Sequence, residues 1–121
     1  MTTSVRDNPD ADRYEIHVDG QLAGFSEYKL SPGRIAFTHT EIGDAFSGRG
    51  LARKLVVDEL ADARRRDLAV LPFCPYVRKV IARAPDKYLD LVPAKDRERF
   101  QLPAVTPTDA AAAGTSDPDA R

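Results

Sequence analysis

The chain has 121 residues, 42% hydrophobic and 31% charged, an ordinary composition for one soluble domain that can bury a core without disulfides or metal. Its 18 basic and 19 acidic residues leave a formal net charge of −1, which gives no sequence-wide attraction to nucleic acid or to an anionic membrane. The single cysteine, Cys74, excludes an internal disulfide and fits a reducing compartment, and with only two histidines beside it a structural zinc site is not expected.

In chain order, residues 1–12 are polar and are expected to be loose; they lack the apolar stretch of a secretory signal. No run approaches the roughly 20 apolar residues a membrane-spanning helix needs. A cytoplasmic protein without membrane or nucleic-acid partners, monomeric or weakly dimeric, is the expectation. Tyr14, Ile16 and Val18 alternate with Glu15, His17 and Asp19, the pattern of a half-buried strand. Asp19-Gly20 marks a tight turn into a second strand over Leu22–Leu30, and Ser31-Pro32-Gly33 a turn into a third over Arg34–Ile42. Strands joined so closely should form an antiparallel meander.

The period then changes. After Gly48-Arg49-Gly50, the residues Leu55, Val56, Leu60 and Ala63 fall on one face of a helix running from Leu51 to Arg66. Arg64, Arg65 and Arg66 close it, where cations favour the negative end of the helix dipole. Residues 68–73 are a short apolar run that reads as a buried strand, although Pro72 cannot donate to a ladder. Cys74-Pro75 opens a second helix with a stripe of Val77, Val80, Ile81 and Ala84, and Pro85 stops it. Tyr88, Leu89, Leu91 and Val92 can cover an edge of the core, and residues 95–100 can add a helical turn. The Pro, Ala, Thr and Asp content of residues 103–121 reads as a disordered tail, so residues 13–102 form the domain.

The third strand, first helix and fourth strand make one right-handed β-α-β unit, so its two strands are parallel and end on the same side. Ligands of open α/β sheets bind at such carboxyl ends. These carry His39, Glu41 and Ile42 on one strand and Phe73 and Cys74 on the other. Gly48 and Gly50 lie where the third strand gives way to the helix. Glycine lets backbone approach a ligand closely, and the free N–H groups of a helix start suit a phosphate. Arg49 and Arg53 add cations. The turn is not a Walker loop, since no Gly-Lys-Ser/Thr follows, and it lacks the third glycine of the dinucleotide fingerprint. On spacing alone, an ordinary strand–helix turn with solvated arginines fits equally.

The stretch Phe46-Ser47-Gly48-Arg49-Gly50-Leu51-Ala52 resembles the coenzyme A pyrophosphate loop of the GNAT N-acetyltransferase superfamily, whose pattern is Arg/Gln-x-x-Gly-x-Gly/Ala. Gly50 and Ala52 match the last two fixed positions, and Ser47 stands where Arg or Gln is usual. His39-Thr40-Glu41, Gly48-Arg49-Gly50 and Cys74-Pro75, in this order, are similar to a subgroup of short single-domain GNAT-like proteins. The resemblance covers roughly residues 14–92. It implies an α/β mixed sheet in which the meander is followed by a parallel β-α-β unit with splayed strands. It also implies an acetyl-coenzyme A cosubstrate and an amine acceptor. Ile42 would then offer backbone to the thioester, and Ser47, Gly48, Arg49, Gly50, Leu51, Ala52 and Arg53 would hold the pyrophosphate. Tyr76 would add a cofactor contact.

Catalytic candidates follow from position. His39 and Glu41, two apart in a strand, share a face, and either can take a proton from an attacking ammonium. A core histidine and a solvated strand-end carboxylate are the competing readings. Cys74, at a helix N-terminus where a thiolate is favoured, can accept an acetyl group or position the cofactor; a small buried hydrophobe is the alternative. The tyrosine that many superfamily members place midway along the second helix is missing, because Val80-Ile81-Ala82-Arg83 occupies that stretch and Tyr76 lies too early. A non-catalytic acyl-coenzyme A-binding module shares the glycine turn and differs at His39, Glu41 and Cys74.

Overall fold

The computed structural model describes residues 2–103, so all but the first residue of the tail expected over residues 103–121 lies outside the described residues. Five strands form one sheet in sequence order. They are β1 (Thr3–Asn8), β2 (Arg13–Val18), β3 (Gln21–Ser31), β4 (Arg34–Ile42) and β5 (Ala69–Pro72). Helix α1 (Leu51–Arg65) joins β4 to β5, and α2 (Pro75–Arg83) and the short α3 (Pro85–Tyr88) follow. The first four strands pair antiparallel, and β4 pairs with β5 in parallel, as an α/β mixed sheet with a meander and a β-α-β unit requires.

The expectation of a loose residue 1–12 segment is corrected. Thr3–Asn8 pairs along the whole of β2, and a single helical turn at Pro9–Ala11 leads back. Polar composition concealed this strand because its stabilising contacts are polar. Tyr28 Oη donates to Asp7 Oδ1 at 2.6 Å, and Asn8 Nδ2 donates to Glu15 Oε2 at 3.0 Å. Arg66, just past α1, reaches Asp7, Asp62 and the Tyr14 hydroxyl. An edge strand with few apolar residues is also less prone to pair with another chain.

Helix α1 lies on the sheet face that carries Tyr14, Ser26 and Phe37. Leu51, Leu55, Val56, Leu60 and Ala63 supply its buried stripe. Tyr14 Oη donates to Asp62 Oδ2 at 2.5 Å, and its ring contacts those of Tyr28 and Phe37. Burial, then the Asp62 bond, raise the Tyr14 phenol well above its ordinary value and keep it protonated. Arg64 is not merely solvated: it grips Asp90 with two bonds of 2.7 and 3.0 Å and donates to the Lys87 carbonyl at 2.6 Å. This ties the end of α1 to the segment where Leu89, Leu91 and Val92 close the core. Pro72 ends β5 opposite Phe37, a position where its missing N–H costs nothing further along the ladder. Among the described residues, no helix is long and apolar enough to cross a membrane.

Candidate functional site

Parallel pairing between β4 and β5 stops at Phe37 and Pro72. The next link is Cys74 N–H to the Phe37 carbonyl at 2.8 Å, after which the chain turns away into α2. Strand β4 runs on alone to Ile42 on that side, while its other edge stays paired with β3 from Glu27 to Gly24. The two strands therefore diverge at their carboxyl ends, and the edge of β4 beyond Phe37 has no strand against it among the described residues.

A β-bulge decides which way the candidates face. Between Glu27 and Tyr28 the register advances by one residue on β3 and by two on β4, so Thr38 is extra. Thr38 Oγ1 donates to the Glu27 carbonyl at 3.3 Å. Simple alternation would send His39 to the buried side with Ile35 and Phe37. The bulge turns Thr40 to that side instead and sends His39 and Glu41 to the opposite face. There both side chains are more than half exposed, with His39 Nε2 3.2 Å from Glu41 Oε1 and the imidazole near the Phe25 ring. His39 is thus not a core histidine.

Cys74 lies on the other side of β4. Its thiol is 3% exposed and its Sγ sits 3.3 Å from Thr40 Oγ1. Cys74 is the N-cap of α2, and Tyr76 is half-buried on the first turn. The three catalytic candidates are therefore not one cluster: His39 and Glu41 are together, and Cys74 is separated from them by the thickness of the strand.

The glycine turn sits at the start of α1. Gly48 has φ +79° and Gly50 φ +74°, values that L-residues avoid, and a Cβ at either would meet nothing within 4 Å. Gly50 is the N-cap and has no side chain to cap with. The first helical bond runs from Lys54 N–H to the Gly50 carbonyl at 3.2 Å, so the N–H groups of Leu51, Ala52 and Arg53 lie ahead of the helical ladder. Open space, N–H donors with no acceptor among the described residues and the positive end of a 15-residue helix dipole make a cradle that suits a pyrophosphate. Arg49 lies over the Phe46 ring at 5.6 Å, and Ser47 Oγ donates to the Asp44 carbonyl at 3.0 Å, which shapes the turn. Ile42, half-buried at the end of β4, stands opposite Gly24 on β3. Gly24 is required there: a Cβ would come within 2.5 Å of the Glu41 carbonyl and of the Ile42 side chain.

One residue escaped the sequence reading. Glu59, on the buried stripe of α1, is fully enclosed. Its Oε2 accepts from Ser26 Oγ at 3.1 Å, and Ser26 Oγ lies 3.4 Å from Thr40 Oγ1. A line of polar atoms thus runs from Glu59 through Ser26 and Thr40 to Cys74. Burial raises the Glu59 carboxyl well above the usual carboxylate range, the Ser26 bond opposes this, and proximity to Cys74 adds to it. A signal existed: Glu59 falls four residues from both Leu55 and Ala63, inside the apolar stripe.

The mixed sheet, its diverging parallel strands and the glycine-opened helix are the α/β arrangement that the sequence resemblance implied. The family model of GCN5-related N-acetyl-transferases matches residues 13–91, and the chain belongs to that family. Comparison with curated proteins gives no match. Among solved structures it is similar to Ard1 from Thermoplasma volcanium, at 19% identity and TM-score 0.42, covering 47% of this chain and 39% of that one. It is also similar to the ribosomal-protein-alanine N-acetyltransferase of Brucella melitensis biovar Abortus 2308, at 24% identity and TM-score 0.42, covering 67% and 61%. The chain spans less than two thirds of either protein, and likenesses this remote carry no argument about activity.

Proposed function

We propose that this protein transfers an acetyl group from acetyl-coenzyme A to an amine. The observation that carries the reading is the Gly48–Arg49–Gly50 turn, opening α1 in a chain of the GCN5-related family whose β4, beyond Phe37, has one edge with no strand against it among the described residues. The N–H groups from Gly48 to Arg53 bind the pyrophosphate, with Ser47, Arg49 and Arg53 around it. The free edge of β4 near Ile42 receives the pantetheine arm and orients the thioester carbonyl. Tyr76, on the first turn of α2, lines its path.

The amine approaches from the exposed face and attacks the thioester carbon. Its proton goes to Glu41 or to His39, directly or through water, and the bond to sulfur breaks as coenzyme A leaves. The separation of the His39–Glu41 pair from Cys74 supports direct transfer, since the base and the thiol address the reaction from opposite sides of β4. In the alternative route the Cys74 thiolate takes the acetyl group first and the amine then discharges it. Mass spectrometry of protein incubated with acetyl-coenzyme A and no acceptor separates the two. Direct transfer leaves Cys74 unmodified; rapid acetylation confined to Cys74, discharged by amine at a competent rate, overturns it. The cosubstrate itself is tested by calorimetric titration with acetyl-coenzyme A. One-to-one binding is expected, and no binding by folded protein sinks the proposal.

A further inference from the structure

A carboxyl group enclosed in a protein core demands an explanation, because burying it costs free energy unless its oxygens are satisfied. Glu59 is 0% exposed, its Oε2 has one partner in Ser26, and its Oε1 has none among the described residues. Among the described residues, no lysine or arginine forms an ion pair with it. A leucine or methionine on the same stripe would stabilise α1 at no such cost, so packing does not account for Glu59.

Its surroundings point to Cys74. Three elements that pack against α1 contribute one polar group each to this line: Ser26 from β3, Thr40 from β4, and Cys74 from the start of α2. The nearest acidic groups on α1 are engaged elsewhere. Asp58 pairs with Lys54 at 2.9 Å, and Asp62 is held by Tyr14, Arg65 and Arg66. The line of hydroxyls that starts at the Glu59 carboxyl ends at the Cys74 thiol. Hydroxyls are the right connectors, since each can donate and accept at once. The Ser26–Thr40 separation of 3.4 Å is longer than an ordinary hydroxyl bond, and a small rotation of either side chain shortens it.

We propose that Glu59 is the positioning residue that governs the protonation of Cys74, the carboxyl and the thiol holding one proton between them across Ser26 and Thr40. When the thiol ionises, its proton passes to Thr40 Oγ1, the Thr40 proton to Ser26 Oγ, and the Ser26 proton to Glu59 Oε2. The reverse sequence restores the thiol, and the summed charge of the pair does not change. In a site where Cys74 is almost sealed from water, a proton thereby has somewhere to go. The use of this device in catalysis rests on the acetyl-transfer reading above. The one proton held by the pair, drawn from Glu59 through Ser26 and Thr40 to the Cys74 thiol, would pass to the departing coenzyme A thiolate in place of the missing tyrosine, and solvent would return a proton to the pair after product release.

The coupling itself is testable without turnover. Cys74 is the only cysteine, so the ultraviolet absorbance of thiolate reports it alone at pH values below tyrosine ionisation. In the wild type, thiolate should grow in two steps as pH rises, because each proton lost belongs partly to each group. In Glu59→Gln, of nearly the same shape and always neutral, it should grow in one step, completed about one pH unit lower. Superimposable curves from folded proteins overturn the proposal. Should Glu59→Gln not fold, carboxyl-carbon NMR of wild type and Cys74→Ala decides. The Glu59 signal should titrate at lower pH once the thiol is gone, and an unmoved midpoint overturns the coupling. Acetyl transfer by Glu59→Gln at the wild-type rate, with the coupling present in the wild type, would refute only its catalytic use.

Discussion

Gly50→Asp tests the glycine turn when paired with Gly33→Asp. Both glycines have φ +74°, and at neither would a Cβ meet an atom within 4 Å. The stability costs of the two substitutions should therefore be alike, about 1–2 kcal/mol for a left-handed L-residue and towards the lower end for aspartate. At roughly 4–8 °C per kcal/mol for a domain of this size, both should melt several degrees lower. Their effects on the cosubstrate should differ. Gly33 lies in the β3–β4 turn, whereas a carboxylate at Gly50 would stand beside the pyrophosphate. Two like charges about 5 Å apart repel by about 3 kcal/mol at an effective dielectric near 20. Exposure of the turn reduces this to about 2 kcal/mol, or roughly thirtyfold in Kd. Calorimetric titration with acetyl-coenzyme A should give wild-type affinity for Gly33→Asp and the thirtyfold loss for Gly50→Asp. Equal affinities in the two folded variants would refute the placement of the pyrophosphate.

Further predictions follow from particular contacts. Gly24→Ala drives a Cβ into the Glu41 carbonyl and the Ile42 side chain, each 2.5 Å away, and should cost about 2–3 kcal/mol in a thermal melt while lowering acetyl transfer by shifting the end of β4. Tyr14→Phe removes the hydroxyl that serves Asp62 and Arg66, and should cost about 1–2 kcal/mol by denaturant titration. The Glu59 carboxyl is raised in the folded state, so that state binds more protons than the unfolded chain from about pH 4.5 up to the folded-state value. Its contribution is thus most favourable at or below pH 4.5 and declines as pH rises through that window, by up to about 1.4 kcal/mol per pH unit. Glu59→Gln should lose this decline, so the stability of the variant relative to wild type should rise with pH; parallel pH–stability curves would contradict the assignment.

The strands β2 to β4 and both longer helices were legible in the sequence because their apolar residues recur at periods of two and of 3.6. The glycine turn was legible because only glycine takes positive φ freely, and Gly50 does so at the helix start. Strand β1 was hidden because hydrogen bonds from Tyr28 and Asn8, rather than apolar contacts, hold it. The facing of His39 was hidden for another reason. The bulge at Thr38 has no signature in the order of residues, and it inverts the alternation from which a side chain's face is read. Glu59 was passed over because a single charge in an apolar stripe reads as solvated until the helix is seated on Ser26 and Thr40.

The central claim is acetyl transfer to an amine, and a mass balance tests it most directly. Folded protein is incubated with acetyl-coenzyme A and a panel of lysine peptides, free peptide N-termini, polyamines and aryl amines. Free coenzyme A and acetylated amine are quantified together over time. The account predicts that at least one amine is acetylated in equal amount to the coenzyme A released, and that Gly50→Asp loses most of this activity at limiting acetyl-coenzyme A. Tight binding of acetyl-coenzyme A with neither product formed would contradict it, and would make this chain an acyl-coenzyme A-binding module rather than an enzyme.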